Sequence, residues 1–361
     1  MNLKISIITV VYNAVDTIEN TIKSVINQSY ENVEYIIIDG GSTDGTLSII
    51  ERYRKEIFYF ISEPDCGIYD AMNKGIRHST GDIIAFMNAD DYYADDILKE
   101  VCELFNDTQA DVVYGNVKVL YDNGYETIDK ARDLEHINYE LPMCHQSVFA
   151  KRDLFFKYGM FNLKYKIAAD YESILKWYNK GAKFVYIDKV IANYGVNGIS
   201  SVEVERSEKE AMEIASFFLD SEYKVQKYLP LLEEKHKLAI KTNSRRKYLK
   251  ENKNRIEEHI SKFLSNNRDV YIFGCGYEAV GCYKLIKNTK FEIAGYIDND
   301  IKKQGMNLKD IYVYSPKILS KQKVKIIVST NRYAQEIKKQ LEEIGYKYKE
   351  DFIFLEDLVE E

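Results

Sequence analysis

Over roughly its first hundred residues the chain alternates short apolar runs with segments whose apolar side chains recur at helical spacing. The run Ile5 to Tyr12 predicts a buried strand, and Ile18, Ile22 and Val25 then predict an amphipathic helix. Further strands are predicted at Val33 to Asp39, around Phe58 to Ile61 and at Ile83 to Met87. Strands that alternate with helices in this way are typical of a parallel sheet flanked by helices.

From Asp111 the pattern indicates antiparallel strands as well. The turn sequence Asp122-Asn123-Gly124 separates two apolar runs, and Asn-Gly tolerates the positive φ angles of a tight hairpin turn. A helix is predicted at Asp170 to Lys180, and a strand follows at Lys183 to Ile187. The first domain is therefore expected to contain a mixed sheet.

The rest of the chain divides into two parts. The stretch that follows the first domain is charged and helical, with a break expected at Pro230. At Asp269 a strand runs into a glycine-rich turn, which opens a second, smaller α/β unit. We therefore predict three segments: a domain over residues 1–201, a helical connector over 202–267 and a small domain over 268–361.

Composition narrows the class of protein. The 361 residues include 45% hydrophobic and 30% charged residues, which is typical of globular domains. Lys and Arg number 50 against 57 Asp and Glu, so the net charge of −7 argues against a nucleic-acid partner. The five cysteines are scattered and form no Cys-x-x-Cys pair, which fits a reducing, cytoplasmic compartment. The N-terminal apolar run is too short to span a bilayer.

Polar residues gather where the predicted parallel strands end, which is where open parallel sheets bind their ligands. These residues are Tyr12, Asp39, Glu63, Asp65 and Asn88 to Asp91. The successive carboxylates Asp90 and Asp91 offer hard oxygen ligands for a Mg²⁺ or Mn²⁺ ion that bridges a diphosphate. The alternative is that this pair only ends the strand.

Four motifs, in this order and spacing, resemble family 2 glycosyltransferases of the GT-A fold. They are Ser6 to Asn13, Ile38 to Thr46, Gly67 to Gly75 and Asn88 to Asp91. The resemblance covers roughly the first 200 residues and rests on several motifs rather than one. It implies a nucleotide-sugar donor, with Tyr12 and Asp39 on the nucleotide side. It also implies that Asp90 lies at the ribose and that Asp90 and Asp91 hold the metal ion on the diphosphate.

Two positions depart from the family pattern. Many members have two successive aspartates where this chain has Asp39-Gly40, and the first position of the Asp-x-Asp motif is Asn88. The first departure bears on which carboxylate reads uracil, and the second leaves Asp90 and Asp91 as the metal candidates. The expected donor is a UDP-sugar.

Inverting sugar transfer needs a group that takes the proton of the acceptor hydroxyl as it attacks. The segment Ala168 to Glu172 is similar to the family's downstream acidic motif, which implies Asp170 as the base, with Glu172 in reserve. The alternative for Asp170 is a helix N-cap.

Three further residues are candidate substrate ligands. His145, within the family-like segment Met143 to Ser147, is expected at the diphosphate or the acceptor, or else is a structural residue. Lys74 is expected to neutralise phosphate and Asp70 to orient the phosphate or the sugar, unless both only belong to the polar face of a helix.

The C-terminal sequence Gly274-x-Gly276-x-x-Ala279 resembles a dinucleotide-binding turn, and Asp298 follows the next predicted strand. Similar Rossmann-like domains are appended to bacterial polysaccharide-biosynthesis proteins. Because the turn is degenerate, a structural or binding domain is favoured over an active oxidoreductase.

Together these features predict an inverting glycosyltransferase, dependent on Mn²⁺ or Mg²⁺, that acts on a glycan or lipid-linked acceptor in bacterial cell-surface polysaccharide synthesis. We expect it in the cytoplasm, associated peripherally with the inner face of the membrane. The connector is expected either to pair with a second copy in a homodimer or to pack on its own domain. A sugar-nucleotide oxidoreductase and a non-catalytic scaffold of a polysaccharide assembly complex are the alternatives.

Overall fold

The computed structural model describes residues 2–121, 123–196, 198, 203–264, 269–276, 279–287, 289, 291–330 and 333–358. The chain forms two compact units. The first comprises Met1–Val119 and Thr127–Ala239, and the second comprises Leu120–Glu126 and Ile240–Glu361. The boundaries predicted at residues 201–202 and 267–268, and Asp122 of the predicted hairpin, lie outside the described residues.

A nine-stranded mixed sheet forms the centre of the first unit. Its strands are β1 (Ile5–Val11), β2 (Val33–Asp39), β3 (Tyr59–Ser62), β4 (Ile83–Phe86), β5 (Tyr92–Tyr93), β6 (Val112–Leu120), β7 (Glu126–Asp129), β8 (Val148–Lys151) and β9 (Phe184–Gly195). The strand order is β3-β2-β1-β4-β8-β6-β9-β5, with β7 paired to β6. Strands β1 to β4 pair in parallel, whereas β8 runs antiparallel to β4 and β6. The predicted mixed sheet is confirmed, and the carboxyl ends of β1, β2 and β4 lie at one edge.

Helices cover this sheet and continue into the charged stretch. They are α1 (Ile18–Ile26), α2 (Thr46–Arg52), α3 (Ile68–His78), α4 (Ile97–Thr108), α5 (Arg152–Tyr158), α6 (Ala169–Asn179), α7 (Val204–Phe218) and α8 (Glu222–Glu251), with short 3₁₀ helices at Leu134–Asn138 and His145–Ser147. Every residue of β1 is buried, as expected for a strand covered on both faces. A Cβ at Gly75 would lie 2.4 Å from Cγ2 of Ile8, so a glycine lets α3 approach β1 this closely.

The break expected at Pro230 is wrong, because α8 continues through it. A proline inside a helix costs about 3 kcal/mol. Its neighbours Tyr228 and Leu232 are only 8% and 3% exposed, and burying a large apolar side chain contributes about 1.5–3 kcal/mol. Packing on both sides of the proline therefore outweighs the lost backbone hydrogen bond.

The second unit is built on a six-stranded sheet. Its strands are β10 (Asp269–Phe273), β11 (Glu292–Ile297), β12 (Asn307–Leu308), β13 (Ile311–Tyr314), β14 (Ile326–Val328) and β15 (Phe352–Phe354), in the order β12-β13-β11-β10-β14-β15. Its helices are α9 (Lys253–Leu264), α10 (Ala279–Lys287) and α11 (Ala334–Glu343), with 3₁₀ helices at Pro316–Ser320 and Glu356–Leu358. All the pairings are parallel except that of β12 with β13. Across the described parts of both units, no helix is long and apolar enough to cross a bilayer.

Candidate active site

A buried carboxylate lies in the turn that follows β4. Asp91 is 1% exposed, and its oxygens accept hydrogen bonds from Gln146 Nε2 at 2.7 Å and from the backbone N–H of Gly195 at 3.0 Å. Thr21 Oγ1 donates to the backbone carbonyl of Asp91 at 2.7 Å, which ties the turn to α1. Burial and the adjacent charge of Asp90 raise the pKa of Asp91 to about 8. The turn therefore holds a carboxylate that a nearby positive charge would stabilise.

Asp90 and Asn88 carry the other candidate ligand oxygens of this turn. Asp90 is exposed, and Asn88 Oδ1 is buried with no hydrogen-bond partner among the described residues. Mg²⁺ is usually held by one or two carboxylates together with substrate phosphates. The described residues contain no cluster of three or more His, Cys, Asp or Glu that could hold a metal ion by itself. Asp90 and Asp91 therefore fit a divalent cation that is shared with a diphosphate.

Asp39, at the carboxyl end of β2, is bonded to its own turn. Its carboxylate accepts from the N–H groups of Gly41 and Ser42, both at 2.9 Å, from Ser42 Oγ at 2.5 Å and from Ser62 Oγ at 2.6 Å. The residue is 0% exposed, so this carboxylate shapes the turn and presents no surface to solvent. Tyr12, which follows β1, is by contrast 65% exposed.

Asp65 lies beside Tyr12. It is one of the polar residues expected near the strand ends, and the sequence indicates no specific role for it. A Cβ at Gly40 would lie 2.7 Å from Asp65 Oδ2 and 3.4 Å from the ring of Tyr12. Gly67 N–H donates to Asp65 Oδ1 at 2.8 Å, and Oδ2 faces Gly40. The glycine at position 40 is the sequence signal that could have indicated this arrangement, because it leaves the space that Asp65 fills.

Lys74 and Asp70 brace the loop that leads into α3. Lys74 Nζ lies 2.8 Å from Glu63 Oε1, 3.2 Å from the carbonyl oxygen of Pro64 and 3.9 Å from Asp70 Oδ2. Asp70 Oδ2 in turn accepts from the N–H of Cys66 at 3.1 Å. Both side chains are 19% exposed, so they hold the loop while keeping part of their surface open.

Asp170 lies in the first turn of α6, and Ala168, not Asp170, occupies the N-cap position. The Asp170 side chain is 15% exposed, and the hydroxyl of Tyr69 donates to its Oδ1 at 2.9 Å. Glu172 is also 15% exposed; its Oε1 lies 3.7 Å from Lys176 Nζ, and its Oε2 is buried with no hydrogen-bond partner in the described part of the chain. The N-cap alternative for Asp170 is therefore wrong, and its carboxylate bonds to Tyr69 instead of capping α6.

His145 packs against Asp170 and an aromatic wall. Its Nδ1 lies 3.7 Å from Asp170 Oδ2, and its ring stacks on Phe86 with ring centroids 5.3 Å apart. Neither ring nitrogen has a hydrogen-bond partner among the described residues. Burial lowers the pKa of His145, and the charge of Asp170 only partly opposes this, so the ring is neutral at pH 7.

The two acidic sites meet at one short turn. His145 faces Asp170, while the next residue, Gln146, donates to Asp91. The structure thus brings together Asp91, Asp170 and His145, all of which the sequence had singled out. Gln146 was missed, because a buried amide that bonds to a carboxylate 55 residues away leaves no local pattern.

Asp298, which follows β11 in the second unit, makes contacts unlike those of a ribose-binding acid. Asp298 Oδ2 accepts from the N–H of Cys275 at 3.1 Å, and Oδ1 accepts from the N–H of Asp300 at 2.9 Å. In dinucleotide-binding domains the acid at this position contacts the ribose. Here the carboxylate is 9–12% exposed and binds the glycine turn of its own chain, which does not favour the oxidoreductase alternative.

Comparisons with known proteins find two family matches along the chain. Residues 6–175 match glycosyl transferase family 2, and residues 266–352 match the family described as C2185-like, N-terminal. A PGL/p-HBAD biosynthesis glycosyltransferase of Mycobacterium tuberculosis (strain ATCC 25177 / H37Ra) is 30% identical over 208 residues, which cover 56% of this chain and 80% of the relative.

Two solved structures share the fold of the first unit. S. aureus TarS 1–349 in complex with UDP-GlcNAc has a TM-score of 0.52 at 22% identity, over 62% of this chain and 70% of that one; of the longer TarS structure, 42% is covered. The mannosyltransferase PcManGT from Pyrobaculum calidifontis, in complex with GDP-Man and Mn²⁺, has a TM-score of 0.50 at 20% identity, over 67% and 73% of the two chains. These two likenesses concern the fold alone. The sequence match over 80% of the mycobacterial relative establishes that this chain belongs to glycosyltransferase family 2, and the two solved structures show that it has a GT-A-like fold.

Proposed function

We propose that this glycosyltransferase is an inverting enzyme that moves a sugar from a UDP-sugar to a glycan or lipid-linked acceptor. The transfer would serve bacterial cell-surface polysaccharide synthesis at the cytoplasmic face of the membrane. One observation supports this function most directly: the consecutive residues His145 and Gln146 contact both candidate carboxylates, Asp170 and Asp91.

A shared turn of this kind suits an inverting reaction. The base must approach the sugar on the face opposite the leaving diphosphate, so the metal-side carboxylate and the base need fixed positions. Positioning of reacting groups supplies a large part of the rate enhancement of enzymes, and small displacements are costly. Gln146 bonds to Asp91 and its neighbour His145 lies against Asp170, so one short 3₁₀ helix borders both carboxylates.

On the donor side, Asp90 and Asp91 would hold a divalent cation together with the diphosphate. A bound Mn²⁺ or Mg²⁺ offsets the negative charge that develops on the leaving diphosphate. The exposed ring of Tyr12 offers a stacking surface for the base, and Asp65 beside it offers an acceptor for the N–H of uracil. TarS and PcManGT bind nucleotide sugars on the same fold, the latter with Mn²⁺.

On the acceptor side, Asp170 takes the proton of the attacking hydroxyl. As the acceptor oxygen bonds to the anomeric carbon of the sugar, the bond from that carbon to the diphosphate oxygen breaks. The acceptor proton moves to a carboxylate oxygen of Asp170, which Tyr69 holds in place through Oδ1. Glu172, two residues further along α6, is the reserve candidate for this role.

The second unit is proposed to add recognition or assembly rather than chemistry. Asp298, where a ribose-binding acid is expected, is hydrogen-bonded to the glycine turn. Every residue proposed to bind the donor, to hold the metal ion or to act as the base lies before residue 200. A homodimer through the helices of the predicted connector and a peripheral membrane location belong to the same proposal.

The test is a panel of UDP-, GDP- and dTDP-sugars incubated with the enzyme and Mn²⁺, with release of the nucleoside diphosphate measured. We expect release from a UDP-sugar that is lowered about 100-fold by a chelator and by Asp90→Ala, with the folded state of the variant checked by circular dichroism. Release from GDP-sugars alone would contradict the UDP assignment. No release from any nucleotide sugar, with or without added acceptor glycans, would contradict the transferase.

A further inference from the structure

A glutamate of α7 anchors the segment that precedes Asp170. Both carboxylate oxygens of Glu210 lie 3.0 Å from the backbone nitrogen of Lys166, and Oε2 also accepts from the N–H groups of Ile167 at 2.9 Å and Ala168 at 3.1 Å. Three successive backbone N–H groups therefore converge on one carboxylate. Such a concave set of backbone donors typically binds an anion, and here the chain's own glutamate fills it.

Tyr69 holds the same segment through its carbonyl side. Its hydroxyl lies 2.5 Å from the carbonyl oxygen of Ile167 and 2.9 Å from Asp170 Oδ1, and the residue is 6% exposed. The single hydroxyl proton of Tyr69 is thus shared between two oxygens, of which the Ile167 carbonyl is the nearer. Glu210 fixes the backbone at Ile167 through its N–H, and Tyr69 fixes it through its C=O. Asp170 follows three residues later, within the first turn of α6.

The anchor is largely removed from solvent. The side chain of Glu210 is 12% exposed, and Arg206 Nε lies 3.2 Å from its Oε1. Hydrogen bonds to a charged acceptor are about twice as strong as neutral ones, and burial protects them from screening by salt. Glu210 therefore differs from the exposed ion pairs of the same helix, which contribute little.

We propose that Glu210 is a positioning residue for Asp170. It fixes the backbone of Lys166 to Ala168 and thereby sets where the Asp170 carboxylate stands when the acceptor hydroxyl arrives. This role rests on the proposed function, since Glu210 acts through Asp170. It also makes α7, which lies beyond the family match at residues 6–175, a working part of the catalytic domain.

The test is Glu210→Gln in the full-length chain. The variant keeps the side-chain shape but replaces an acceptor oxygen with an NH₂ group that faces backbone donors. We expect kcat for sugar transfer to fall about 100-fold, because a displacement of about 1 Å at a reacting group has an effect of that order. The KM and Kd for the donor should stay within about twofold of wild type, since no donor-side residue is touched.

Glu213→Gln is the matched control. Glu213 lies on the same helix and contacts Lys164 Nζ and the Tyr165 hydroxyl, which are side-chain groups. Its substitution removes the same charge without disturbing the backbone anchor, so kcat should stay within about twofold of wild type.

Hydrogen exchange gives a readout that does not depend on activity. In the wild-type protein the amides of residues 166–168 should be protected, and Glu210→Gln, but not Glu213→Gln, should accelerate their exchange at least tenfold. Unprotected amides in the wild type, an unchanged kcat in Glu210→Gln, or an equal loss in both variants would overturn the role. If the amides behave as expected but the wild type transfers no sugar, the anchor is upheld and the proposed function is the part that fails.

Discussion

The first unit has one buried carboxylate near each end of its parallel strands, and the surroundings shift the two carboxyl pKa values in opposite directions. At the amino end of β2, Glu34 is 2% exposed and accepts bonds from Ser6 Oγ, from the N–H and hydroxyl of Thr80 and from the N–H of Gly81 at 3.1 Å. Burial alone would raise its pKa, but Lys4, Ser6 and Thr80 lower the pKa of Glu34 to about 2. Beyond the carboxyl end of β4, Asp91 is equally buried, yet burial and Asp90 raise its pKa to about 8.

These opposite pKa shifts indicate that one end of the sheet serves stability and the other end serves function. A carboxyl group whose pKa is lower in the folded than in the unfolded chain stabilises the fold at neutral pH, and one whose pKa is higher destabilises it. The destabilising arrangement lies at the edge where parallel sheets bind ligands, which is where such perturbed groups are commonly found. Substitutions at the carboxyl end should therefore change turnover, and substitutions at the amino end should change stability.

The largest effect is expected for Asp170→Asn. The amide keeps the shape of the side chain but cannot accept the proton of the acceptor, so turnover should fall about 1,000-fold while donor affinity is retained. Steady-state transfer assays and calorimetry with the donor measure the two quantities. A parallel collapse of donor affinity would instead assign Asp170 to the donor site.

A smaller loss, about 100-fold, is expected for Asp90→Asn and for the wild type in excess chelator. The chelator removes the cation that would offset the charge of the leaving diphosphate, and Asp90→Asn removes a ligand that would hold this cation. Added Mn²⁺ should restore the chelated wild type but not the variant, as followed by nucleotide release. Asp298→Asn, the corresponding change in the second unit, should keep wild-type turnover; full activity of the wild type in chelator would contradict the metal site.

At the amino end, Glu34→Gln should lower stability and leave turnover at 25 °C unchanged. The shift from the ordinary value of 4.5 to about 2 corresponds to about 3 kcal/mol, or roughly 6–12 °C in Tm for a unit of this size. Because the folded pKa is lowered, this stability is present above pH 4.5 and is lost as the pH falls toward 2. The difference in Tm between variant and wild type, measured by calorimetry, should therefore shrink below pH 4; a constant difference would show that the charge of Glu34 is not its cause.

The smallest effect is expected for Asp91 in the metal-free protein, where the pH dependence of stability should have the opposite sign to that caused by Glu34. Because its folded pKa is raised, stability should decline as the pH rises from about 4 to about 8, by roughly 1–2 kcal/mol once local opening of the turn relieves part of the strain. Thermal unfolding in chelator at a series of pH values would detect the decline. Asp91→Asn should flatten it, and an equal slope in the variant would mean that other groups cause it.

Much of the fold follows from local sequence. Strands β1 and β2 are continuous apolar runs because parallel strands are buried on both faces, and the structure begins both at the predicted residues. Pro230 misled the prediction because its local effect on the helix is opposed by the burial of Tyr228 and Leu232, which spacing alone does not reveal.

The candidate site was predictable where residues stand next to a strand end or at the start of a helix. Asp90, Asp91 and Asp170 lie in motifs that follow a strand or open a helix. Gln146 and Glu210 bind partners that are 55 and 43 residues away in the sequence. Short stretches of sequence therefore do not reveal these two contacts. Asp39 has the right position at a strand end, but its bonds to Ser42 and Ser62 become visible only when the turn is folded.

A side chain at position 40 and the carboxylate of Asp65 would compete for the same space. Many family members carry an aspartate where this chain has Gly40, but here a Cβ at that position would lie 2.7 Å from Asp65 Oδ2. A side chain at position 40 must therefore displace the carboxylate at 65, so across relatives we expect an acidic residue at one position to accompany a small residue at the other. Free coexistence of the two side chains in an alignment would contradict this.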